Sequence, residues 1–465
     1  MKNDAEVIVI GAGLAGLTIA HRLMGSGVDV IVLEAKGRVG GRLLNQTVGG
    51  TVVDAGGSWV GPPQTAVLAL IEELGLTTFP QHDEGQHMMV WNGRQRLFTG
   101  DTPPLPLPLQ ADLGQAMWRL DRAARRLRGP DPWRHPDAER LDGQSLGAWV
   151  RRNTVTKQAR FFLELVALVE FGSHPDELSL LGFLVYIESA GGLRTLIGGQ
   201  GAALDRHVVG GAAAICDELA TRLGERVHLN TPAVAVDQTT DRVRILTATG
   251  EFEAARAVLA VDPATADYIQ HDPPLPLRRI TLERTYALGS GMKAHVCYDR
   301  PFWRESALSG QSYANGGLVR ITFDVGPSTG PGVLATFLGN QIPGEAELID
   351  GPLERRREAI LAELAARFGD EARHPIDYVE QNWTHEPFQS GCVPRPYPGV
   401  ITSAGDAFTR PVGRLHFAGA DTAEVWKGHM DGAVRSAQRV VAELDADELA
   451  PVKGARQRRA LNTDC

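Results

Sequence analysis

Three glycines near the amino terminus, Gly11, Gly13 and Gly16, are spaced as GxGxxG in GAGLAG. They follow the β-branched run EVIVIG and open a helical pattern, and Glu34 closes the next apolar run, VDVIVLE. In a strand–turn–helix unit the first glycine permits a tight turn, the second lets the backbone approach a pyrophosphate, and the third allows close helix–strand packing. The helix amino terminus supplies N–H donors to the diphosphate, and the acid binds a ribose. The pattern therefore predicts dinucleotide binding.

Two arginines that follow this acid help to distinguish FAD from NAD as the bound dinucleotide. Arg38 and Arg42 flank a diglycine in EAKGRVGGR. Guanidinium groups offer a fixed fork of donors to phosphate oxygens, so the pair suits a pyrophosphate. The later run VDAGGSWVG, residues 53–61, contains another diglycine where backbone could lie against a flat ring. These features favour FAD over NAD.

Strands and helices must position these residues, and their sequence signals recur in separated pieces of chain. Nucleotide-type strands are predicted near 1–60, in RVHLNTPAVAV and EFEAARAVLAV between 205 and 262, and in RLHFAGA before a closing helix from about 429 to 444. Residues 112–170 are mostly helical by their apolar spacing, and the Pro-rich segment 101–110 is predicted to be an extended connection between two lobes.

The recurrence predicts an α/β fold with a discontinuous nucleotide-binding domain and an inserted α+β domain for the substrate. The predicted nucleotide-binding domain comprises 1–80, 205–280 and 386–445, the inserted domain 81–204 and 281–385, and a polar carboxy-terminal tail 446–465.

Composition excludes several classes of protein. The 465 residues carry a formal net charge of −9 with a pI near 5.8, which disfavours nucleic acid and anionic membranes as partners. The four cysteines lie far apart without a CxxC pair, and the histidines lack the spacing of metal ligands. No apolar run approaches the ~18 residues of a membrane span, and no signal peptide is evident. We predict a cytoplasmic protein without a metal, nucleic-acid or membrane partner.

Five motifs in the same order resemble the flavin-containing amine oxidase family, which includes monoamine and polyamine oxidases and their L-amino-acid oxidase relatives. They are GAGLAG, EAKGRVGGR, VDAGGSWVG, PFWRE and FAGADTAEVWKGHMDGAV, and the similarity spans residues 6 to about 445. The resemblance implies a glutathione-reductase-like Rossmann domain that binds FAD. It also implies a reaction: a small-molecule amine gives hydride to flavin N5, the imine hydrolyses, and O2 reoxidises the flavin to yield H2O2. Dimers are common among similar proteins, so a homodimer is one expectation.

The resemblance assigns roles to the carboxy-terminal motif. Asp421 matches an acid that approaches the ribityl or diphosphate part of FAD, and the turn of Gly428, His429 and Met430 matches a helix start at the flavin pyrimidine. A helix amino terminus there stabilises the negative charge left by hydride transfer, by ~2 kcal/mol at most. The further cofactor contacts implied are Gly56, Gly57, Ser58, Trp59, Val234, Trp383 and Gly419.

Two other residues match functional positions of the family. Lys293 lies in an apolar, β-rich run, where a lysine without a partner is costly to bury. It matches the lysine that holds a water near flavin N5, and the alternative is an edge-strand lysine that faces solvent. Cys392 matches the 8α-thioether attachment of mammalian-type monoamine oxidases; covalent attachment and a packed free thiol both stay open.

The sequence departs from the family at the substrate amine. Two aromatic side chains flank the amine in typical monoamine oxidases, whereas Val393 and His429 stand at those positions here. Trp426, Trp59 and Trp383 are candidate walls in their place. His429 is a candidate base, because hydride leaves only from a neutral amine and imidazole titrates in the right range. The catalytic set predicted is Lys293, His429 and Trp426.

Alternatives to an amine oxidase remain at this point. An L-amino-acid oxidase would need an arginine that binds the substrate carboxylate, and Arg194, Arg320 and Arg395 are candidates. A dehydrogenase or desaturase of a biosynthetic intermediate would pass its electrons to an acceptor other than O2. A flavin-stabilised binding module would show no turnover.

Overall fold

The computed structural model describes residues 3–100, 105–339, 345–389 and 391–449. Its strands are β1 Asp4–Ile10, β2 Val30–Leu33, β3 Asn45–Val48, β4 Thr51–Asp54, β5 Trp59–Val60, β6 Thr78–Pro80, β7 Gln86–Trp91, β8 Arg94–Phe98, β9 Arg206–Val208, β10 Val227–His228, β11 Ala233–Asp237, β12 Val243–Thr247, β13 Gly250–Leu259, β14 Gln270–Asp272, β15 Ala287–Gly289, β16 Met292–Tyr298, β17 Leu308–Ala314, β18 Val319–Asp324, β19 Gly332–Leu338, β20 Asp377–Asn382, β21 Val393–Arg395 and β22 Leu415–Phe417.

The α-helices are α1 Leu14–Gly25, α2 Thr65–Glu73, α3 Leu107–Arg125, α4 Ala138–Asp142, α5 Leu146–Asn153, α6 Lys157–Phe171, α7 Leu180–Ser189, α8 Leu193–Ile197, α9 Ala214–Leu223, α10 Pro263–Ala266, α11 Leu277–Thr285, α12 Phe302–Glu305, α13 Glu345–Ile349, α14 Leu353–Phe368, α15 Val400–Ala404 and α16 Met430–Leu449.

The largest sheet has the strand order β10-β2-β1-β13-β12-β11-β14, and β22 also pairs with β13. The strands β10, β2, β1, β13 and β22 run parallel, whereas β12 is antiparallel to both neighbours. All of β2 is buried, because helices α1, α9 and α16 pack over the face that carries Val30 and Val32, whereas Ile31 and Leu33 belong to a separate apolar cluster on the opposite face. The sheet therefore assembles strands from the beginning, middle and end of the chain, as its nucleotide-type signals indicated.

A second sheet and a helical layer complete the molecule. The second sheet has the order β20-β16-β19-β18-β17-β7-β8 and is antiparallel except between β17 and β7. Helices α3 to α8 share an apolar core with α11 and α15. These elements fall within and around the ranges predicted for the inserted domain, and the exact domain bounds stay a prediction.

The structure corrects two details of the sequence prediction. Residues 107–110, predicted to be extended, begin helix α3; its prolines are tolerated because they lie before or within the first turn, where an N–H needs no intrahelical acceptor. Residues 101–104 lie outside the described part. Helix α16 continues to Leu449, into the predicted polar tail, and 450–465 are not described. Within the described residues, no helix is long and apolar enough to cross a membrane.

Candidate active site

A cavity of about 1660 Å³ lies where the carboxyl ends of β1, β2 and β13 face the second sheet and the helical layer. Open α/β sheets bind ligands at this end of their strands. The cavity collects most of the residues predicted from sequence. Those that line it are Gly11, Gly13, Glu34, Arg42, Gly56, Gly57, Ser58, Trp59, Val234, Lys293, Cys392, Gly419, His429 and Met430.

The glycine turn has the geometry that its spacing predicts. A Cβ on Gly16 would lie 2.0 Å from the carbonyl oxygen of Gly11, so the helix approaches the strand too closely for any side chain. Helix α1 has no side-chain cap, and its first-turn residues Leu14 and Ala15 line the cavity. Its amino-terminal N–H groups, which have no intrahelical acceptor, thus suit an anion. The Glu34 carboxylate accepts the N–H of Ala12 at 2.8 Å, beside that turn.

A buried ion pair stands behind this part of the wall. Arg42 Nη2 lies 2.5 Å from Asp421 Oδ2, and the Tyr286 hydroxyl donates to Asp421 Oδ1 at 2.8 Å. Burial disfavours the charged form of both groups, but their mutual attraction and hydrogen bonding are stronger. The pKa of Arg42 is therefore raised and the pKa of Asp421 is lowered. Asp421 does not itself line the cavity, because its carboxylate is turned to Arg42 and Tyr286. It positions the cavity-lining Arg42 instead.

The second arginine of the RxGGR motif is also held away from the cavity. Arg38 Nη2 donates to Glu386 at 2.7 Å, and Nη1 reaches three backbone carbonyls of its own loop. These hydrogen bonds stabilise the diglycine turn. The turn packs closely on the glycine-rich loop, since a Cβ on Gly41, whose φ is +57°, would lie 3.3 Å from the Cα of Gly13. Arg38 therefore braces the turn, and Arg42 alone of the pair faces the cavity.

Lys293 is buried in the interior strand β16, which excludes the solvent-facing alternative. Its ammonium donates to the carbonyls of Asp54 and Gly56, at 3.1 and 2.6 Å, and to Ser58 Oγ at 2.5 Å. Burial lowers the pKa of Lys293 to about 8, against the attraction of Asp54. The cavity therefore contains a lysine whose charge changes close to neutral pH.

Cys392 lines the cavity near Lys293 and Arg42. Burial raises the pKa of its thiol, and these two cations oppose that rise. Trp383 does not line the cavity, because it packs behind Gly56. A Cβ on Gly56 would lie 3.0 Å from the indole Cζ2 of Trp383, and the indole N–H donates a hydrogen bond to the carbonyl oxygen of Ala55.

His429 lies immediately before α16 and points into the cavity. Its Nδ1 is 2.9 Å from the carbonyl oxygen of Lys427, which can only accept, so Nδ1 carries the proton and Nε2 presents a lone pair. Burial lowers the pKa of His429, which favours the neutral ring at neutral pH. Trp426 does not line the cavity; it is buried, donates to Pro63 at 3.2 Å and packs edge-on against the imidazole.

A family model described as flavin containing amine oxidoreductase matches residues 14–445. The chain belongs to this family. The flavin-containing monoamine oxidase provisionally assigned as AofH in Mycobacterium tuberculosis is 39% identical over 447 residues, covering 95% of this chain and 96% of the relative. Human amine oxidase B is 32% identical, covering 96% and 86%.

Solved structures show the same fold for this amine oxidoreductase. Putrescine oxidase bound to putrescine superposes with a TM-score of 0.90 at 32% identity, covering 96% of this chain and all of that one. Cyclohexylamine oxidase from Brevibacterium oxydans superposes with a TM-score of 0.91 at 28% identity, covering 96% and 99%. The predicted family, the α/β fold with FAD-binding and substrate domains, and FAD-dependent amine oxidation are confirmed.

The cavity of this amine oxidoreductase fits FAD. The uncapped start of α1 and the Arg42 guanidinium suit the diphosphate, and Glu34 suits the ribose. Gly56 and Gly57 line the cavity with backbone alone. Gly56 cannot carry a side chain, because a Cβ there would lie 2.2 Å from the carbonyl oxygen of Arg42. These residues would hold the cofactor.

Sequence reasoning missed an acid in the cavity. Glu170, near the end of α6, lines it with Tyr186 of α7, and its Oε2 is 4.0 Å from Nε2 of His429. Burial raises the pKa of Glu170 to about 8, and hydrogen bonding with Tyr186 opposes this only partly. A signal was available: Glu170 shares an otherwise apolar helix face with Leu163 and Val166, which also line the cavity.

The three arginines considered as ligands for a substrate carboxylate differ in whether they line the cavity. Arg320 is buried in a pair with Glu345, and Arg395 contacts Tyr397 and Glu177. Only Arg194 of the three lines the cavity, from helix α8.

Proposed function

We propose that the protein oxidises primary amines with O2 as acceptor, and that His429 is the base that removes a proton from the substrate ammonium. When bound, FAD accepts hydride from the carbon next to the nitrogen. The observation that carries the role of His429 is its tautomer, since the Lys427 carbonyl fixes the proton on Nδ1 and leaves Nε2 free to accept one. The similar putrescine and cyclohexylamine oxidases support an amine of this class.

Anaerobic titration of the purified holoenzyme with a panel of amines and amino acids tests the substrate class. We expect primary amines to bleach the oxidised-flavin band, and air to restore it with formation of H2O2. Bleaching by amino acids alone would favour an L-amino-acid oxidase that uses Arg194. Bleaching without reoxidation by air would indicate a dehydrogenase.

Lys293→Met tests the contribution of the buried ammonium to reoxidation. We expect the rate of flavin reoxidation by O2 to fall roughly 10²-fold, because a preorganised charge is removed from a dry site, whereas reduction by amine changes little. In the wild type, reoxidation should slow as pH rises through about 8, where Lys293 loses its proton. Stopped-flow mixing of reduced enzyme with O2 measures both effects; a reoxidation rate equal to that of the wild type would refute the role. Retention of a water by Lys293 stays a prediction.

We propose that Cys392 attaches FAD covalently through a thioether. The new C–S bond would replace the S–H bond of Cys392 and one C–H bond of the flavin 8α-methyl group, and the two electrons released would pass through the flavin to O2. Cys392 lines the cavity, and although burial raises the pKa of its thiol, Lys293 and Arg42 favour the thiolate. A small thiolate fraction suffices, because attachment occurs once in the life of a molecule. We expect acid precipitation to leave the yellow colour in the pellet for the wild type and in the supernatant for Cys392→Ala. Colour in the supernatant for both would mean a free thiol.

The cytoplasmic location and the homodimer are also proposals. The acidic composition and the scattered cysteines support the first. Sedimentation of the holoenzyme would test the second.

A further inference from the structure

Glu170 is a largely buried acid whose neighbour in the cavity wall is the imidazole of His429 rather than a lysine or an arginine. Only 13% of its side chain is exposed, within the cavity wall, and no lysine or arginine of the described chain forms an ion pair with it. Most other buried acids near this site are paired or capped, such as Asp421 with Arg42. An ionised carboxylate is costly to bury unless a cation accompanies it. We therefore expect the cation to belong to the molecule that binds in the cavity.

The neighbours of Glu170 indicate where that cation would sit. Glu170 Oε2 and His429 Nε2 are two acceptors 4.0 Å apart. A nitrogen about 2.8–2.9 Å from each, the usual length of a charge-assisted hydrogen bond, can donate one N–H to Glu170 and a second N–H to His429. Tyr186 and His429, whose ring centroids are 5.3 Å apart, enclose the same corner. A primary ammonium, with three donors, fits this arrangement better than a tertiary one, which has only one.

We propose that Glu170 binds the ammonium of the primary amine that is to be oxidised, holding it against His429 Nε2. This inference rests on the proposed function in its choice of reacting amine. The substrate's proton passes to His429 Nε2, which leaves a neutral amine and an imidazolium. The Glu170 carboxylate faces that imidazolium and stabilises it. If Glu170 was protonated before binding, its own proton is released to solvent when the ammonium arrives.

This arrangement also determines what the site excludes. A substrate carboxylate beside the reacting amine would meet Glu170 and be repelled, or would bind only with an extra proton. Glu170 thus selects simple amines against α-amino acids, although Arg194 lines the same cavity.

Binding of amines that cannot be oxidised tests the proposal without turnover. The probes are tert-butylamine and α,α-dimethylbenzylamine, which lack a hydrogen on the carbon next to nitrogen. Their uncharged analogues are tert-butanol and 2-phenyl-2-propanol. Dissociation constants are measured on the holoenzyme at pH 7.5, from the change in flavin absorbance or by calorimetry.

We expect Glu170→Gln to weaken binding of both ammonium probes roughly 10- to 100-fold and to leave binding of the alcohols unchanged. Glu170→Asp should retain part of the affinity. Glu164→Gln is the matched control: it removes the same charge from the same helix, but Glu164 does not line the cavity. It should bind both probes as the wild type does. FAD content and melting temperature show that each variant is folded.

The outcomes separate this proposal from the proposed function. Equal affinity of the ammonium probes for wild type and Glu170→Gln would overturn the proposal, as would failure of the wild type to bind them. Equal loss of ammonium and alcohol binding would also overturn it, because that pattern reports a change of cavity shape. If the probes bind through Glu170 but no amine reduces the flavin, the proposed function fails and the ammonium site stands.

Discussion

Replacing His429 with phenylalanine is expected to slow anaerobic flavin reduction by primary amines about 10²-fold or more at pH 7.5, with FAD still bound. A positioned general base commonly contributes 10²–10⁴ in rate, and phenylalanine has no lone pair. The substitution keeps a ring beside Tyr186, where an aromatic side chain is expected in similar enzymes. It therefore separates a base from a mere cavity wall. Stopped-flow absorbance at saturating amine gives the rate.

The pH dependence sharpens this test. Burial lowers the pKa of His429, so the wild-type rate should fall only as pH decreases below the ordinary histidine range. The deficit of His429→Phe should shrink toward pH 10, where a free primary amine needs no base. The charged and titratable groups that act on His429 at this corner include Glu170, Tyr186, Asp431 and Arg42. A phenylalanine variant as fast as the wild type at pH 7.5 would show that His429 serves only as a wall.

Replacing Asp421 with alanine is expected to cost ~3–5 kcal/mol of stability and most of the bound FAD. Asp421 is 1% exposed, and its loss leaves the Arg42 guanidinium and the Tyr286 hydroxyl without their shared acceptor. Removing one partner of a buried pair has a cost of this size, because an uncompensated charge remains. Thermal unfolding and flavin retention on gel filtration measure the two effects.

A matched control removes a partly exposed acid of the same type. Asp406 pairs with Arg410 at 3.3 Å on the surface, so Asp406→Ala should change stability by about 1 kcal/mol or less. Because Arg42 and Tyr286 hold the pKa of Asp421 below its usual range, the pair should contribute fully at neutral pH and be lost only as pH falls below that range. Equal melting temperatures for Asp421→Ala and Asp406→Ala would contradict the structural role of the pair.

The sequence by itself determined the nucleotide unit. Gly11, Gly13, Gly16 and Glu34 do what their spacing predicts, because a strand–turn–helix unit is encoded by adjacent residues and only glycine fits its close approach. The order of motifs likewise determined the family, which the comparisons confirm.

Only the tertiary structure decided which of the polar residues face the cavity. Arg38 and Arg42 look alike in RVGGR, but Glu386 draws the first away and Asp421 holds the second at the wall. Glu170 looks like an ordinary helix residue until folding brings it 4.0 Å from His429. The reason is that ion pairing and burial join side chains far apart in the chain, and no local pattern records those partners.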